Sequence, residues 1–263
     1  MNMPTVFVSH GAPTMALHPG AAGEALRQLG RQWPKPAAIL MVSAHWETQL
    51  PSLSTATQPE TIHDFFGFPA PLYQLRYTAP GAPALAQRAA GLLQQAGMAA
   101  NLDPRRGLDH GAWVPLRYLY PEADVPVTQL SIQPQLSPLH HYRVGEALRP
   151  LTQEGVLIVA SGSLTHNLGE FRMRAEQVSP YVKDFQAWVH EALDGHDLCA
   201  LIDYRKLAPD AVRAHPTDEH FLPLFVALGA AGAGPVHRYT DEVTFGVIAM
   251  DGYVFGEREA AVV

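Results

Sequence analysis

The stretch ILMVSAHW at residues 39–46 joins a continuous apolar run to a histidine, and it decides the fold class. The same pattern occurs in VFVSHG at residues 6–11 and in VLIVAS at residues 156–161, which continues to His166. Short runs of Val, Ile and Leu are typical of strands that are buried on both faces, as in a parallel sheet. Ligands bind just outside the carboxyl ends of such strands. The histidines that follow these runs are therefore expected at one edge of a sheet.

Composition restricts the class of protein. The chain has 263 residues, 47% hydrophobic and 16% charged, which is typical of a globular protein with a full core. A net charge of -7 without a Lys/Arg block argues against nucleic acid or an anionic membrane as a partner. Cys199 is the only cysteine, so no disulfide framework or thiolate metal cluster is expected.

The ends of the chain and its hydropathy suggest a location. The N-terminus lacks the charged and apolar regions of a signal peptide. No apolar run approaches the roughly 18 residues of a membrane span. We therefore expect a soluble cytoplasmic protein that works as a monomer or a homo-oligomer on a small molecule.

Segments with strand and helix patterns alternate along the chain. Helices are predicted near residues 21–29, 82–96, 112–120, 139–153, 180–193 and 219–228. A strand is predicted at 125–132, a long loop at 49–80, and a terminal strand or hairpin at 244–255 that turns at Asp251-Gly252. The sequence contains no repeat and no dividing linker. The expected fold is α/β: a single domain over residues 1–263, with a central mostly parallel or mixed sheet flanked by helices.

Three histidines are candidates for one metal site: His10, His45 and His220. Neutral imidazole is a common ligand for zinc, iron, copper and nickel. For a single histidine after a strand, a hydrogen-bonded structural role is the simpler interpretation. Several histidines in the same setting favour a shared site.

The segment TDEH at residues 217–220 has its own pattern. Thr217 is a suitable N-cap for a helix that begins at Glu219, and acids in the first turn suit the helix dipole. The same dipole disfavours an imidazolium at His220, which predicts a neutral ring. Asp218 or Glu219 could instead supply a carboxylate ligand. Two histidines and one carboxylate suit non-haem Fe(II), whereas three histidines also suit zinc.

Two loop segments join histidines to acids and aromatic rings: IHDFFGFP at residues 62–69 and DHGAW at residues 109–113. These residues either cover the core or wall a pocket for a flat aromatic ligand. In the second case His110 is a hydrogen-bond donor, Phe66 is a further wall residue, and the substrate-binding residues are His63, Phe65, Phe68 and Trp113. The remaining histidines are expected at the surface: His18, His140, His141, His190, His196, His215 and His237.

Seven motifs together carry a resemblance to a known family. They are SHGAP at 9–13, VSAHW at 42–46, IHDF at 62–65, YTAPG at 77–81, DHGAW at 109–113, SGSLTHNL at 161–168 and EHFLPL at 219–224. In this order they resemble the DOPA-dioxygenase branch of the class III extradiol ring-cleaving dioxygenases. This branch is related to the catalytic subunit of protocatechuate 4,5-dioxygenase. The resemblance runs from about residue 4 to about residue 250 and is specific for the family, not for the substrate.

The resemblance implies roles for five histidines. His10 and His45 match the first two metal ligands, and His220 matches the third, where the protocatechuate-type relatives use a glutamate. That departure leaves the metal preference open. His166 matches a histidine that acts as acid and base and approaches the metal as a fourth ligand, and His110 matches a further active-site histidine.

The resemblance also implies a cofactor and a reaction of aromatic compound catabolism. One divalent ion is expected, Fe(II) for activity, although members of this branch are found with zinc, which has no redox chemistry. A catechol, DOPA-like or related, binds the metal through both hydroxyl oxygens, and His166 takes the second proton. O2 then opens the ring outside the diol and gives a muconic semialdehyde. A three-histidine zinc hydrolase or lyase, with His166 as proton shuttle, and a zinc-stabilised binding protein remain alternatives.

Overall fold

One mixed sheet of eight strands forms the centre of the computed structural model, which describes residues 2–172, 175 and 177–256. The strand order is β4-β3-β5-β2-β6-β1-β10-β7. The strands are β1 (Thr5–Ser9), β2 (Ala38–Glu47), β3 (Ser52–Ser54), β4 (Asn101–Asp103), β5 (Val127–Ile132), β6 (Val156–Gly162), β7 (Val236–Thr240) and β10 (Gly252–Phe255). β8 (Val243–Thr244) and β9 (Ile248–Ala249) form a separate pair. The predicted α/β fold with a mixed sheet in a single domain is confirmed.

The four central strands β5, β2, β6 and β1 run parallel. Ile39 of β2 lies opposite Leu157 of β6 and Val127 of β5. Every residue of β1, β5 and β6 is buried, as the continuous apolar runs predict. Because these strands are parallel, their carboxyl ends lie at one edge of the sheet.

Ten helices flank the sheet in the described part of the chain. They are α1 (Gly20–Gln32), α2 (Pro83–Gln95), α3 (His110–Leu119), α4 (Pro138–Leu148), α5 (Pro150–Gln153), α6 (Pro180–Asp194), α7 (Leu198–Ile202), α8 (Tyr204–Leu207), α9 (Ala211–Ala214) and α10 (Leu222–Ala231). Short 3₁₀ helices occupy Pro13–Ala16, Ala70–Gln74 and Leu168–Glu170. None of the described helices is long and apolar enough to cross a bilayer.

The start of α10 differs from the prediction, which began this helix at Glu219 with Thr217 as N-cap. The helix begins at Leu222, so His220 lies in the turn before it. Pro223 fits the first helical turn because its fixed φ suits that position. The Asp218 side chain accepts from the Tyr204 hydroxyl instead of capping the helix. The helix-dipole argument for a neutral His220 is therefore wrong.

Three other predicted elements differ in detail. The hairpin near the C-terminus turns at Phe245-Gly246, where φ is +53° and +74°, and not at Asp251-Gly252. The predicted helix 139–153 breaks before Pro150, whose ring removes a backbone donor. The predicted loop 49–80 contains β3, and β4 and β7 were not predicted. β3 and β4 have three residues each, which leave too short a pattern in the sequence to be recognised, and the five residues of β7 are all partly exposed or exposed and form no apolar run.

Candidate metal centre

Three imidazole Nε2 atoms meet at the carboxyl edge of the central strands. His10 directly follows β1, and its backbone N–H donates to the carbonyl oxygen of Gly162 at the end of β6 (3.0 Å). Its Nε2 lies 3.0 Å from Nε2 of His45, which lies 3.3 Å from Nε2 of His220. Three nitrogens bound to one ion at roughly 2.0–2.1 Å and near-tetrahedral angles stand at about 3.3 Å from each other. The His10–His45 and His45–His220 spacings therefore each fit two ligands of one ion.

The second ring nitrogen of each of these histidines faces an oxygen atom. The pairs are His10 Nδ1 with Ser161 Oγ at 2.9 Å, His45 Nδ1 with Asp64 Oδ2 at 3.5 Å, and His220 Nδ1 with Glu219 Oε1 at 2.9 Å. Metal-binding histidines usually have such a partner, which fixes the ring and its tautomer. The arrangement leaves each Nε2 free to bind an ion.

Ser161 shows how a tautomer is fixed here. Its hydroxyl donates to the carbonyl oxygen of Gly111, so it accepts a hydrogen bond from Nδ1–H of His10. The Nε2 atom of His10 then carries a lone pair. Ser161 also connects β6 to the first turn of α3, and so joins two walls of the site.

Burial keeps the three rings neutral. His10 is 2% exposed and His220 is 4% exposed, and burial, followed by the neighbouring histidines, holds the pKa of both rings well below its usual value. Burial also lowers the pKa of His45 to about 4. Neutral imidazole is the form that binds metal, so the rings are ready to bind an ion at neutral pH.

The end of β2 brings His45 into the site. His45 lies within the strand and not past it, but pairing with β6 ends at Ser43 and the register with β5 shifts after Val42. Helix α3 comes very close to this point. A Cβ on Gly111 would stand 2.6 Å from the hydroxyl oxygen of Ser43, so only glycine fits there.

His110 opens α3 beside the three rings. Its backbone N–H and its Nδ1 both lie near Oδ1 of Asp64, at 2.9 and 3.0 Å. Burial raises the pKa of Asp64, but the hydrogen bonds and charge of His110 outweigh it and lower the pKa to about 2. His10, His45 and His110 form a group whose ligand atoms lie within 4.8 Å of one another, so this group could also hold a metal ion.

Asp109 is the N-cap residue of α3 and fixes the start of this helix. It has no exposed surface and accepts hydrogen bonds from Ser43, Arg106 and Gln129 side chains, at 2.6, 2.5 and 2.5 Å. It also caps α3 by accepting from the N–H of Ala112. A buried carboxylate with four donors holds its surroundings rigidly, which keeps His110 in place.

His166 lies in the loop after β6. Its ring stacks on His220 with 3.4 Å between the centroids, and its Nδ1 is 3.8 Å from Oε1 of Glu219. Burial lowers the pKa of His166 to about 4, although the Glu219 charge partly opposes this. His166, Glu219 and His220 form a second group with ligand atoms within 4.8 Å.

A cavity of about 430 Å³ opens above these rings. Its polar lining consists of His10, His45, Asp64, His110, Ser163, His166 and His220. Its apolar lining includes Pro13, Phe65, Phe66, Phe68, Leu168, Phe171 and Ile248. Phe66 is 92% exposed, so it stands at the mouth and not in the wall. The cavity has room for a small aromatic molecule next to the histidines.

His63 and Trp113 are placed differently from the predicted pocket wall. Trp113 is fully buried, and its indole N–H donates to the carbonyl oxygen of Ile62. His63 contacts the edge of Phe65 and the ring of Trp113, and its Nε2 lies 3.1 Å from the Leu75 carbonyl oxygen. Neither lines the cavity. Trp113 holds the loop at Ile62, whereas the His63 contact joins two parts of the same loop. They support the wall from behind.

Two histidines predicted at the surface are buried. His141 is 1% exposed and bridges Gln133 N–H and the Ser137 carbonyl oxygen, and His215 has no exposed surface. The sequence predicted neither, because the contacts that bury these rings come from the folded chain and not from adjacent residues. Ser161 and Asp64 were present in the quoted motifs but had no assigned role, since their contacts come from segments far apart in the chain.

Comparison with known proteins identifies the family. The family model described as the catalytic LigB subunit of aromatic ring-opening dioxygenase matches residues 5–256. The chain belongs to this family. It is 45% identical to a 4,5-DOPA dioxygenase extradiol of Beta vulgaris over 95% of this chain and 96% of the relative. It is 37% identical to a protein of the same name from Escherichia coli K12 over 94% and 93% of the two chains.

A solved structure agrees with the assignment. The crystal structure of an uncharacterized protein from Escherichia coli K12 matches with a TM-score of 0.82 and 32% identity. The match covers 97% of this chain and 100% of the other. This chain is an extradiol ring-opening dioxygenase of a metal-dependent family, and the resemblance inferred from the motifs is confirmed. The zinc hydrolase or lyase alternative is not favoured.

Proposed function

We propose that this protein opens the aromatic ring of a DOPA-like catechol with O2, and that Fe(II) bound by His10, His45 and His220 is its cofactor. The observation that carries the proposal is the row of three Nε2 atoms spaced at 3.0 and 3.3 Å. The names of the relatives support a DOPA-like substrate. Zinc could occupy the same ligands, because three imidazoles suit it equally well.

The donor set fits a catalytic ion. Three neutral nitrogens beside the cavity would hold the ion and would leave it able to bind further ligands, as catalytic metal sites require. Fe(II) in this place would supply chelation of both catechol oxygens and the transfer of electrons to O2. His110 is the rival third ligand, because its Nδ1 also faces an Asp64 oxygen, but the Nε2 atom that lies 3.3 Å from Nε2 of His45 belongs to His220. We therefore assign His110 to substrate contact and not to the ion.

His166 is proposed as the proton acceptor and donor. It lines the cavity and its side chain is 18% exposed, so it can reach a bound hydroxyl. Its stacking on His220 holds it next to the ion, where the second catechol proton must leave. The metal content of a His166→Ala variant shows whether His166 also binds the ion as a fourth ligand.

The apolar lining is proposed to hold the ring. Phe65 and Phe68 meet edge to face with 5.4 Å between centroids, and Phe65 also meets His110 at 5.7 Å. This edge-to-face geometry is the favoured one for aromatic pairs. Phe65 and Phe68 would thus present rigid faces to a flat ligand, while His63 and Trp113 support them.

Three further expectations from the sequence remain proposals: a cytoplasmic location, a monomeric or homo-oligomeric state, and a single catalytic domain over residues 1–263. The family match over residues 5–256 supports the last of these. The charge of -7 supports the prediction that neither nucleic acid nor an anionic membrane is a partner.

Anaerobic reconstitution with Fe(II) tests the proposed function. The protein is then given DOPA, protocatechuate, caffeate and homoprotocatechuate in air, and visible absorbance and oxygen uptake are recorded. We expect a yellow semialdehyde from DOPA or a close analogue, with oxygen uptake equal to substrate consumed. Zinc-loaded protein is the matched control and should be inactive, because zinc has no redox chemistry. No colour and no oxygen uptake with any catechol would overturn the proposal.

A further inference from the structure

A buried histidine lies directly behind the loop that carries His166. His215 has no exposed surface, and its Nε2 lies 2.8 Å from the carbonyl oxygen of Leu164. A carbonyl oxygen only accepts hydrogen bonds, so Nε2 of His215 carries the ring proton. Nδ1 finds no partner among the described residues. The ring therefore acts as a single donor aimed at one backbone atom.

Residues 213–215 make three hydrogen bonds to residues 164–167, the part of the loop that carries His166. Besides the bond from His215 to Leu164, the N–H of His166 donates to the Ala214 carbonyl oxygen at 2.8 Å. The Asn167 side chain donates to the Arg213 carbonyl oxygen at 2.7 Å. The bond from His215 is the only one of the three that a side chain of residues 213–215 makes. It can therefore be removed by substitution without changing the backbone pairing.

Residues 213–215 are themselves held in place by Arg205. Arg205 donates to the His215 carbonyl oxygen at 3.0 Å and pairs with Asp218 at 2.8 Å. Asp218 lies two residues before His220, so the support is continuous with the turn that carries the proposed third ligand. A rigid support is what a catalytic side chain needs, because a misplacement of about 1 Å can reduce a rate by about 10²-fold.

We propose that His215 is a positioning residue: through its hydrogen bond to the Leu164 carbonyl oxygen it holds the His166 ring over the cavity. The inference rests on the proposed role of His166. It assigns a function to a residue that touches neither the cavity nor the proposed ligand nitrogens.

Packing is the alternative role for this ring. His215 lies 5.0 Å from Phe221 and 5.6 Å from Phe185 between ring centroids, so it also fills an aromatic cluster. The two roles predict different results for two side chains of similar size. Glutamine keeps an N–H donor near the position of Nε2, whereas methionine fills the space without a donor.

The test compares His215→Gln with His215→Met in the Fe(II) enzyme. We expect His215→Met to lower kcat about 10-fold or more, with KM and metal content per chain unchanged, and His215→Gln to recover most of the loss. His141→Met is the matched control, because His141 is also a buried ring beside a backbone carbonyl, but that carbonyl belongs to Ser137 and not to the His166 loop. It should keep the wild-type kcat even if it lowers stability.

A double-substitution cycle separates action through His166 from general damage. In a His166→Ala background, His215→Met should cause no further loss of kcat, because the group it positions is gone. Losses that multiply, equal losses in the glutamine and methionine variants, or a wild-type kcat in His215→Met would each overturn the inference.

A spectroscopic readout keeps the inference testable without turnover. The imidazole Cε1–H signal of His166, assigned by its disappearance in His166→Ala, is followed by NMR in the zinc-loaded protein. It should move in His215→Met, return toward its wild-type position in His215→Gln, and stay in place in His141→Met. An unmoved signal in His215→Met overturns the inference, whereas a wild type that cleaves no catechol overturns only the proposed function.

Discussion

The ring of His166 stacks on the ring of His220, with 3.4 Å between centroids and 13° between planes. His220 faces His45 through Nε2, and His166 faces the cavity. The proposed proton acceptor thus lies against a proposed metal ligand. The two rings come from segments separated by more than fifty positions, and Glu219 approaches both of them through Oε1.

Removal of a metal ligand should abolish stoichiometric metal binding. His10→Ala, His45→Ala and His220→Ala each delete one of three nitrogens that meet at 3.0–3.3 Å. Metal content per chain is measured after reconstitution and desalting, with the exposed His18→Ala variant as control. A variant that keeps full metal content and activity removes its residue from the site. If His220→Ala does so, Glu219 or His110 becomes the third ligand.

Loss of His166 should affect turnover more than metal binding. His166→Ala should lower kcat by roughly 10²–10⁴-fold, the usual range for a general acid or base, while the ion stays bound. Turnover and metal content are measured on the same preparation. If the ion is lost, His166 is a fourth ligand, and the acceptor must be sought at His110.

Acid should destabilise the protein through its buried neutral histidines. Burial lowers the pKa of His141 to about 4 and of His215 to about 3, whereas an unfolded histidine titrates near ~6.5. The folded state binds fewer protons, so this stability is present above pH ~6.5 and is lost as pH falls toward the folded pKa. Each ring should cost about 2 kcal/mol of unfolding free energy between pH 7 and pH 5.

Urea unfolding of wild type and His141→Gln at several pH values checks this expectation. The variant cannot take up the proton, so its free energy of unfolding should fall less between pH 7 and pH 5. Equal slopes in the two proteins would show that His141 is protonated in the folded state, contrary to its burial.

Chelation should decide which aromatic compounds bind. A catechol gives two adjacent oxygens to one ion, whereas the matching monophenol loses one of them, and the oxygens of a 1,3-diol stand too far apart. We therefore expect tight binding of catechols, weak binding of monophenols and none of resorcinols, measured by calorimetry on the zinc-loaded protein. A monophenol that binds as tightly as its catechol would contradict chelation.

The ring should open beside the diol and not within it. With ¹⁸O2 and DOPA, mass spectrometry should find two labelled oxygen atoms in a semialdehyde or its cyclised form. A diacid product would indicate cleavage between the two hydroxyl carbons. A product free of label would indicate hydrolysis and revive the zinc hydrolase alternative.

The order of the apolar runs and motifs in the sequence predicted the fold class and the family of this protein. Short continuous Val/Ile/Leu runs are typical of strands buried on both faces, which predicts the parallel centre and the edge at which His10 and His45 lie. Local patterns therefore sufficed for the fold class, the family and the proposed ligands.

Tertiary structure alone decided which side chains meet. Ser161 orients His10, Asp64 orients His110, and His215 supports the loop of His166, each across 46 to 151 positions of sequence. Trp113 was predicted in the pocket wall, but it lies in the core, where its indole N–H donates to the carbonyl oxygen of Ile62. Hydrogen bonds act over about 3 Å in space regardless of separation along the chain. No pattern of spacing in the sequence encodes such pairs, so they become visible only when the chain is folded.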